Sequence, residues 1–258
     1  MKKPFALTFF ALLTACLSVR AQEFKTKFNS RQDRKVVVEM QGSDVTVEGY
    51  EGDELIIRGN GFEEPPKMAQ GLRPLYNTAQ DNTQIGLSVT PGTGNTLRIV
   101  KASRKEASYT IRVPRRTALV FTETNWGSGD LVVKELEGSI EASLKSGDLK
   151  LLNVSGPVVA NSVSGDVTIR FTSMRPEPSS ISVVSGDLDV SMPPASKATM
   201  TLRSISGEIY TDFDLNLGKG PDNTNRIGGQ TVSGTINGGG PSLSLKTISG
   251  DIFVRKAK

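Results

Sequence analysis

The chain has 258 residues, including 26 Gly, one Cys and no His, and its formal net charge is +4. The lack of His excludes Ser-His-Asp and Cys-His catalysis and His-ligated zinc. The first 21 residues contain Lys2, Lys3 and Arg20 but no acidic residue, and beyond them 28 basic residues nearly balance 27 acidic ones. A near-neutral chain gives no electrostatic reason to bind nucleic acid or an anionic membrane.

The N-terminus carries the pattern of a secretory signal, a basic start followed by the short apolar run Phe5–Leu13. Two processing sites fit. Cleavage after Ala21 makes residues 1–21 a signal peptide. The Leu-Thr-Ala before Cys16 instead resembles a bacterial lipobox, which predicts removal of residues 1–15 and lipidation of Cys16. Both processing sites predict export to the periplasm, the outer membrane or the cell surface. Membrane contact is expected only through a lipid on Cys16.

Residues 22–122 show apolar–polar alternation in short, irregularly spaced stretches, which predicts β-strands. The predicted strands are Val36–Val38, Val45–Val47, Leu55–Ile57, Ile85–Val89, Leu97–Val100, Tyr109–Val113 and Ala118–Thr122. Residues 60–84 are rich in Pro and Gly and indicate a long loop. Two interpretations stay open here: wide early rungs of one domain that spans 22–258, or a separate β-sandwich.

A Ser-Gly-Asp phrase recurs over residues 123–258 with conservative variation. Its glycines are Gly129, Gly147, Gly165, Gly186, Gly207, Gly234 and Gly250, with spacings of 18, 18, 21, 21, 27 and 16 residues. Gly138, Gly156 or a Pro/Gly cluster falls between successive copies. Nine residues supply one strand and a tight turn, so about 18 residues close one rung with two strands and two corners. We therefore expect these seven glycines to stack on one corner.

The residues around each phrase predict the core. The residue two positions after each glycine is apolar, as Leu149, Leu188 and Ile252 illustrate, and alternation continues from there. Apolar residues also stand two positions before a glycine, at Val154, Val163, Val184, Ile205, Val232 and Ile248. We expect both sets to form apolar ladders inside the stack. The predicted fold is all-β, a β-solenoid with about 16–27 residues per rung, irregular over 22–122 and regular over 123–258.

Three stretches resemble the bacterial β-strand-repeat adhesin family, also called Toastrack, which has no assigned function. They are Tyr109–Pro114, Val184–Pro193 and Ser206–Asp212, together with the Ser-Gly-Asp series. The resemblance implies a β-solenoid in the bacterial envelope and carries over no catalytic residues.

Two sets of residues are candidates for function. The acidic residues after six of the corner glycines would form a column that caps the turns or, as the alternative, binds calcium. They are Asp130, Asp148, Asp166, Asp187, Glu208 and Asp251. Tyr210, Asp212 and Asp214 alternate onto one face, which is expected to be the solvent face, and form a candidate ligand-contact patch. Trp126 is expected to pack at a rung edge, and Lys101, Arg104 and Lys105 to lie in a solvated loop.

The predicted function is that of an exported non-enzymatic adhesin or binding module without a catalytic site, cofactor or metal. Its expected partner is an envelope protein or polysaccharide. A periplasmic sensing or assembly component and a β-helix glycan-active enzyme are the alternatives. Contacts are expected where rung lengths vary, near residues 172–180, 191–197 and 212–228.

Overall fold

The structure, a computed structural model, describes residues 22–257 except 64–65, 70, 73–74, 76–78, 128 and 218–230. In these ranges the chain forms 21 β-strands, one short 3-10 helix (Lys67–Ala69) and no α-helix. The first eight strands are β1 (Gln22–Lys27), β2 (Lys35–Met40), β3 (Val45–Tyr50), β4 (Glu54–Asn60), β5 (Leu87–Pro91), β6 (Thr96–Lys101), β7 (Ser108–Pro114) and β8 (Ala118–Glu123).

The remaining strands follow the repeat. They are β9 (Leu131–Lys134), β10 (Ile140–Leu144), β11 (Leu149–Val154), β12 (Val158–Ser164), β13 (Val167–Phe171), β14 (Ser179–Ser185), β15 (Leu188–Met192), β16 (Ala198–Ser204), β17 (Ile209–Thr211), β18 (Asn216–Leu217), β19 (Thr231–Ile236), β20 (Ser242–Ser249) and β21 (Ile252–Lys256).

The strands pair into two open sheets that share one apolar core. Sheet A has the order β1-β4-β7-β3-β9-β11-β13-β15-β21-β17. Sheet B has the order β18-β19-β16-β20-β14-β12-β10-β8-β2-β6-β5. The strands before residue 123 and those after it therefore belong to the same two sheets.

Successive rungs pair in parallel and in register, which confirms the predicted β-solenoid. In sheet A, Leu131, Leu149, Val167 and Leu188 are register partners from strand to strand. Corner hydrogen bonds link residues 18, 18 and 21 positions apart over these rungs. Each rung thus contributes one strand to each sheet, as the nine-residue half-period predicts.

The rungs do not stack in chain order at either end. The last rung, β20–β21, lies between β14–β15 and β16–β17, while β2–β3 lies between β6–β7 and β8–β9. The expected glycine stack is therefore wrong beyond Gly186: Gly250 packs on Gly186, and Gly207 packs on Gly250. Gly234 is not at the corner at all, because it lies within β19 opposite Met200 of the antiparallel strand β16.

The core is built by strict alternation along each strand. In β15, Leu188, Val190 and Met192 are buried, and Asp189 and Ser191 lie between them on the outer side. The residues two positions after the corner glycines of the stacked rungs are inside, as predicted, except that Ile209 in the last strand of sheet A is half-buried.

The second predicted ladder is only partly correct. Val154 is buried and Val232 packs partly against the core. Val163, Val184, Ile205 and Ile248, by contrast, point outward with 40–48% of their surface exposed. The alternation explains the error: Val183 and Leu188, the inward residues on either side of one corner, are five positions apart. Because this number is odd, the inward–outward alternation does not run unbroken through the corner. Val184, which follows the inward Val183, therefore lies on the outer face.

Candidate functional site

The acidic column forms a hydrogen-bonded ladder along one corner. The Oδ1 atom of each Asp accepts the backbone N–H of the acidic residue in the next rung, over N···O distances of 2.8–3.1 Å. In stacking order its members are Asp44, Asp130, Asp148, Asp166, Asp187, Asp251 and Glu208. The carboxylates therefore cap the neighbouring rung and not their own turn.

This ladder assigns the column a structural role. One oxygen of each Asp is held by a backbone N–H group, and the described residues contain no group of three His, Cys, Asp or Glu side chains that could hold a metal ion. Asp44 was missed in the sequence because Gly42 precedes Ser43 there and breaks the Ser-Gly-Asp order. The signal that could have found it is an Asp directly followed by the inward residue Val45, as in the other rungs.

Tyr210 lies on the outer face of β17, the last strand of sheet A. Its register partner in β21 is Phe253, and the two rings stack with centroids 5.3 Å apart and planes inclined by 9°. Tyr210 keeps 51% of its surface exposed. Because no described strand follows β17 in sheet A, no rung within the described residues covers the face of the Tyr210 ring turned away from Phe253.

Charged groups surround this pair of rings. The Arg255 guanidinium lies 5.0 Å from the Phe253 ring centroid, and its Nε donates a hydrogen bond of 2.8 Å to Asp189 Oδ1. Asp212 Oδ1 accepts the backbone N–H of Lys256 over 2.8 Å. We name Tyr210, Phe253, Arg255, Asp189 and Asp212 the aromatic patch.

The predicted patch thus has a different composition. Tyr210, Asp212 and Asp214 are all exposed around the buried Phe213, but β17 ends at Thr211, so only Tyr210 stands on the regular strand. Phe253, Arg255 and Asp189 were missed, because their proximity to Tyr210 follows from the position of β21 between β15 and β17.

Of the basic residues expected in a solvated loop, Arg104 and Lys105 are exposed outside the strands, but the expectation is wrong for Lys101, and the expectation for Trp126 is also wrong. Lys101 is only 3% exposed, since it occupies an inward position at the end of β6. Its ammonium donates to the carbonyl oxygens of Gln41 and Gly42 and to Ser43 Oγ, and burial lowers its pKa. Trp126 does not pack at a rung edge: 69% of its surface is exposed in a turn.

A polar groove of about 510 Å³ opens at the other end of the ladder. Its lining includes Asp44, Asn60, Glu106, Ser108 and Asp130. These residues stand at the corner ends of four adjacent strands of sheet A. The groove offers hydrogen-bonding groups but no aromatic ring, so the aromatic patch is the better candidate for ligand contact.

Several predicted features lie outside the described residues. These are the signal segment, Cys16 with its candidate lipidation, and residues 218–228 of the variable corner. Among the residues that the structure describes, no helix is long and apolar enough to cross a membrane.

The paired open sheets and the stacked corner phrase define an all-β solenoid of the repeat type. The chain belongs to the Toastrack DUF4097 family, whose model matches residues 123–255, just over half of its length. The resemblance seen in the sequence is therefore confirmed.

Two crystal structures are similar to this chain. A "putative cell adhesion protein" from Clostridium sporogenes is 11% identical with a TM-score of 0.43, and the match covers 91% of this chain and 99% of that one. A "putative adhesin" from Bacteroides fragilis is 13% identical with a TM-score of 0.31, over 91% of this chain and 97% of that one. No curated protein matches the chain. With both TM-scores below 0.5, the fold assignment rests on the strand pairing and the family match.

Proposed function

We propose that this protein is an exported, non-enzymatic binding module of the bacterial envelope, in which residues 22–258 form one solenoid domain behind an export signal. The solenoid presents flat sheet faces whose side chains repeat at the rung spacing of about 4.8 Å. Such faces suit extended partners, either an envelope polysaccharide or a surface of another protein.

The exposed ring of Tyr210 is the observation that carries this proposal. An aromatic ring with one free face and a polar hydroxyl group is a common contact for ligands that are apolar on one side and polar on the other. Phe253 supports the ring from behind, and the Asp189–Arg255 pair holds that support in place. The patch is therefore preorganised, which lowers the entropic cost of binding.

The Tyr210→Ala variant is expected to bind its ligand about 30-fold more weakly, as is typical for loss of an aromatic anchor worth about 2 kcal/mol. Tyr210→Phe keeps the ring and should retain binding. The measurement is retention of fluorescent cello-oligosaccharides, chitin oligosaccharides, dextran and polygalacturonate by intact cells that express the full chain. The polymers should be recovered uncleaved.

Equal binding by cells carrying Tyr210→Ala and by cells carrying the unchanged chain would contradict the assignment of the patch. Binding that appears only after cell lysis would place the protein in the periplasm and favour a sensing or assembly component. Release of shortened oligosaccharides would overturn the non-enzymatic assignment.

A further inference from the structure

The outer face of sheet B over β12, β14, β20 and β16 carries two rows of side chains at matched register positions and, two residues further along the chain, a third row of exposed aliphatic side chains. We name it the three-row face. The hydroxyl row is Val159, Ser180, Ser244 and Thr201; the cation row is Asn161, Ser182, Lys246 and Arg203; the aliphatic row is Val163, Val184, Ile248 and Ile205.

The cation row has an unusual charge arrangement. Lys246 and Arg203 are direct register partners on adjacent parallel strands, so their side chains leave the sheet about 4.8 Å apart. Both are exposed, and within the described part of the chain neither makes an ion pair or a side-chain hydrogen bond. None of the twelve positions of the three-row face is acidic. Like charges that face each other across strands are destabilising, and a bound anion would relieve the repulsion.

The rows on either side supply the other contacts that a sugar polymer needs. Ser180, Ser244 and Thr201 present hydroxyl groups that both donate and accept hydrogen bonds, which matches the alcohol groups of a sugar. On the opposite side, the aliphatic row exposes methyl groups that can cover sugar C–H faces.

We propose that the three-row face binds an acidic polysaccharide, with Lys246 and Arg203 on its carboxylate groups. The inference rests on the proposed binding function but uses a face separate from the aromatic patch. It specifies both the class of ligand and the residues that recognise its charge.

The composition of the three-row face argues against three other occupants. Protein interfaces are enriched in aromatic residues and Met and depleted in Ser, whereas this face has several Ser and no aromatic or Met residue. Binding to an anionic membrane typically uses four to eight basic residues, and only two are present. A second copy packed about a two-fold axis through the cation row would set Lys246 and Arg203 against the same cations.

The test compares binding of polygalacturonate, neutral dextran and polyglutamate to the purified mature chain by calorimetry at low ionic strength. The unchanged protein should bind polygalacturonate, and salt should weaken that binding because exposed charges are screened. In the double variant Arg203→Gln, Lys246→Gln, the affinity for polygalacturonate should fall by a factor of about ten or more. The matched control Lys134→Gln, Arg170→Gln removes two positive charges from the outer face of sheet A and should leave binding unchanged.

A second variant, Val184→Thr with Ile248→Thr, should keep the fold, since both side chains are exposed, and should also weaken binding. The inference is overturned if polyglutamate binds as well as polygalacturonate, if dextran does, or if the control variant weakens binding equally. Polygalacturonate binding that depends on Tyr210 and not on Arg203 and Lys246 would also overturn it, while leaving the proposed function intact. If polygalacturonate does not bind to the unchanged protein, the inference fails, and the proposed function is still decided separately by the retention of its own polymer panel on intact cells.

Discussion

Replacing Ile252 with alanine is expected to destabilise the protein by about 2–5 kcal/mol, the usual cost of removing a large buried aliphatic side chain. Ile252 is fully buried and lies in register between Leu188 on one side and Ile209 on the other. Its rung is the last in the chain but has a neighbouring rung on each side in the stack. The loss should appear as a lower free energy of unfolding in urea.

The matched control is Ile209→Ala, which should cost roughly half as much, because that residue is half-buried on the last strand of sheet A. The two variants remove the same atoms from equivalent positions of the repeat. If the rungs stacked in chain order, Ile209 would be an interior residue and Ile252 a terminal one. A larger loss at Ile209 than at Ile252 would therefore contradict the intercalated rung order.

The second large effect is expected at the glycine corner. A Cβ atom added at Gly165 would lie 2.2 Å from the carbonyl oxygen of Gly147 and 2.7 Å from its carbonyl carbon. Backbone atoms of a packed rung cannot move aside, so Gly165→Ala must separate two rungs. We expect a loss of about 4 kcal/mol or more, in the range that marks a severe packing defect.

Gly238→Ala separates the clash from the backbone strain. Gly238 has a φ of +85° and Gly165 a φ of +111°, so both substitutions strain the backbone by about 1–3 kcal/mol. No atom lies within 4 Å of a Cβ added at Gly238. Gly238→Ala should therefore cost only the strain, and equal losses of unfolding free energy at the two positions would show that contact between rungs is not the reason for the glycines.

The fold class could be predicted from the sequence because two local signals agree. Alternation such as Val167-Thr-Ile-Arg-Phe171 indicates strands with one buried face, and Ser-Gly-Asp marks a corner at intervals that fit half a rung. Both signals depend only on neighbouring residues. The strands that follow these phrases appear where alternation predicts them.

The order of the rungs could not be predicted, because the repeats are nearly equivalent. Leu188, Ile252 and Ile209 are all large aliphatic residues after a glycine corner, and any of them can pack against either of the others. The choice depends on long-range pairing, including the antiparallel contact of β19 with one edge of β16. A repeating pattern specifies the shape of each rung, but it does not specify which other rung packs beside it.

In the candidate sites, too, the features set by local alternation could be predicted and those set by rung order could not. Alternation placed Tyr210 on the outer face, but its partner Phe253 depends on rung order and was missed. The three-row face was missed for two reasons. Its aliphatic row was expected in the core, and Lys246 and Arg203 are 43 residues apart in the sequence although they are adjacent in the sheet.

Disulfide formation tests the rung order most directly, because both proposed binding surfaces depend on it. Ser180 of β14 is the register partner of Ser244 in β20, and Thr201 of β16 lies on the far side of Ser244. Adjacent strands are about 4.8 Å apart, within the reach of a disulfide, whereas the next strand but one is beyond it. In a Cys16→Ser background, Ser180→Cys with Ser244→Cys should cross-link on mild oxidation, and Ser180→Cys with Thr201→Cys should stay reduced. Cross-linking of the second pair and not the first would contradict the intercalated stack.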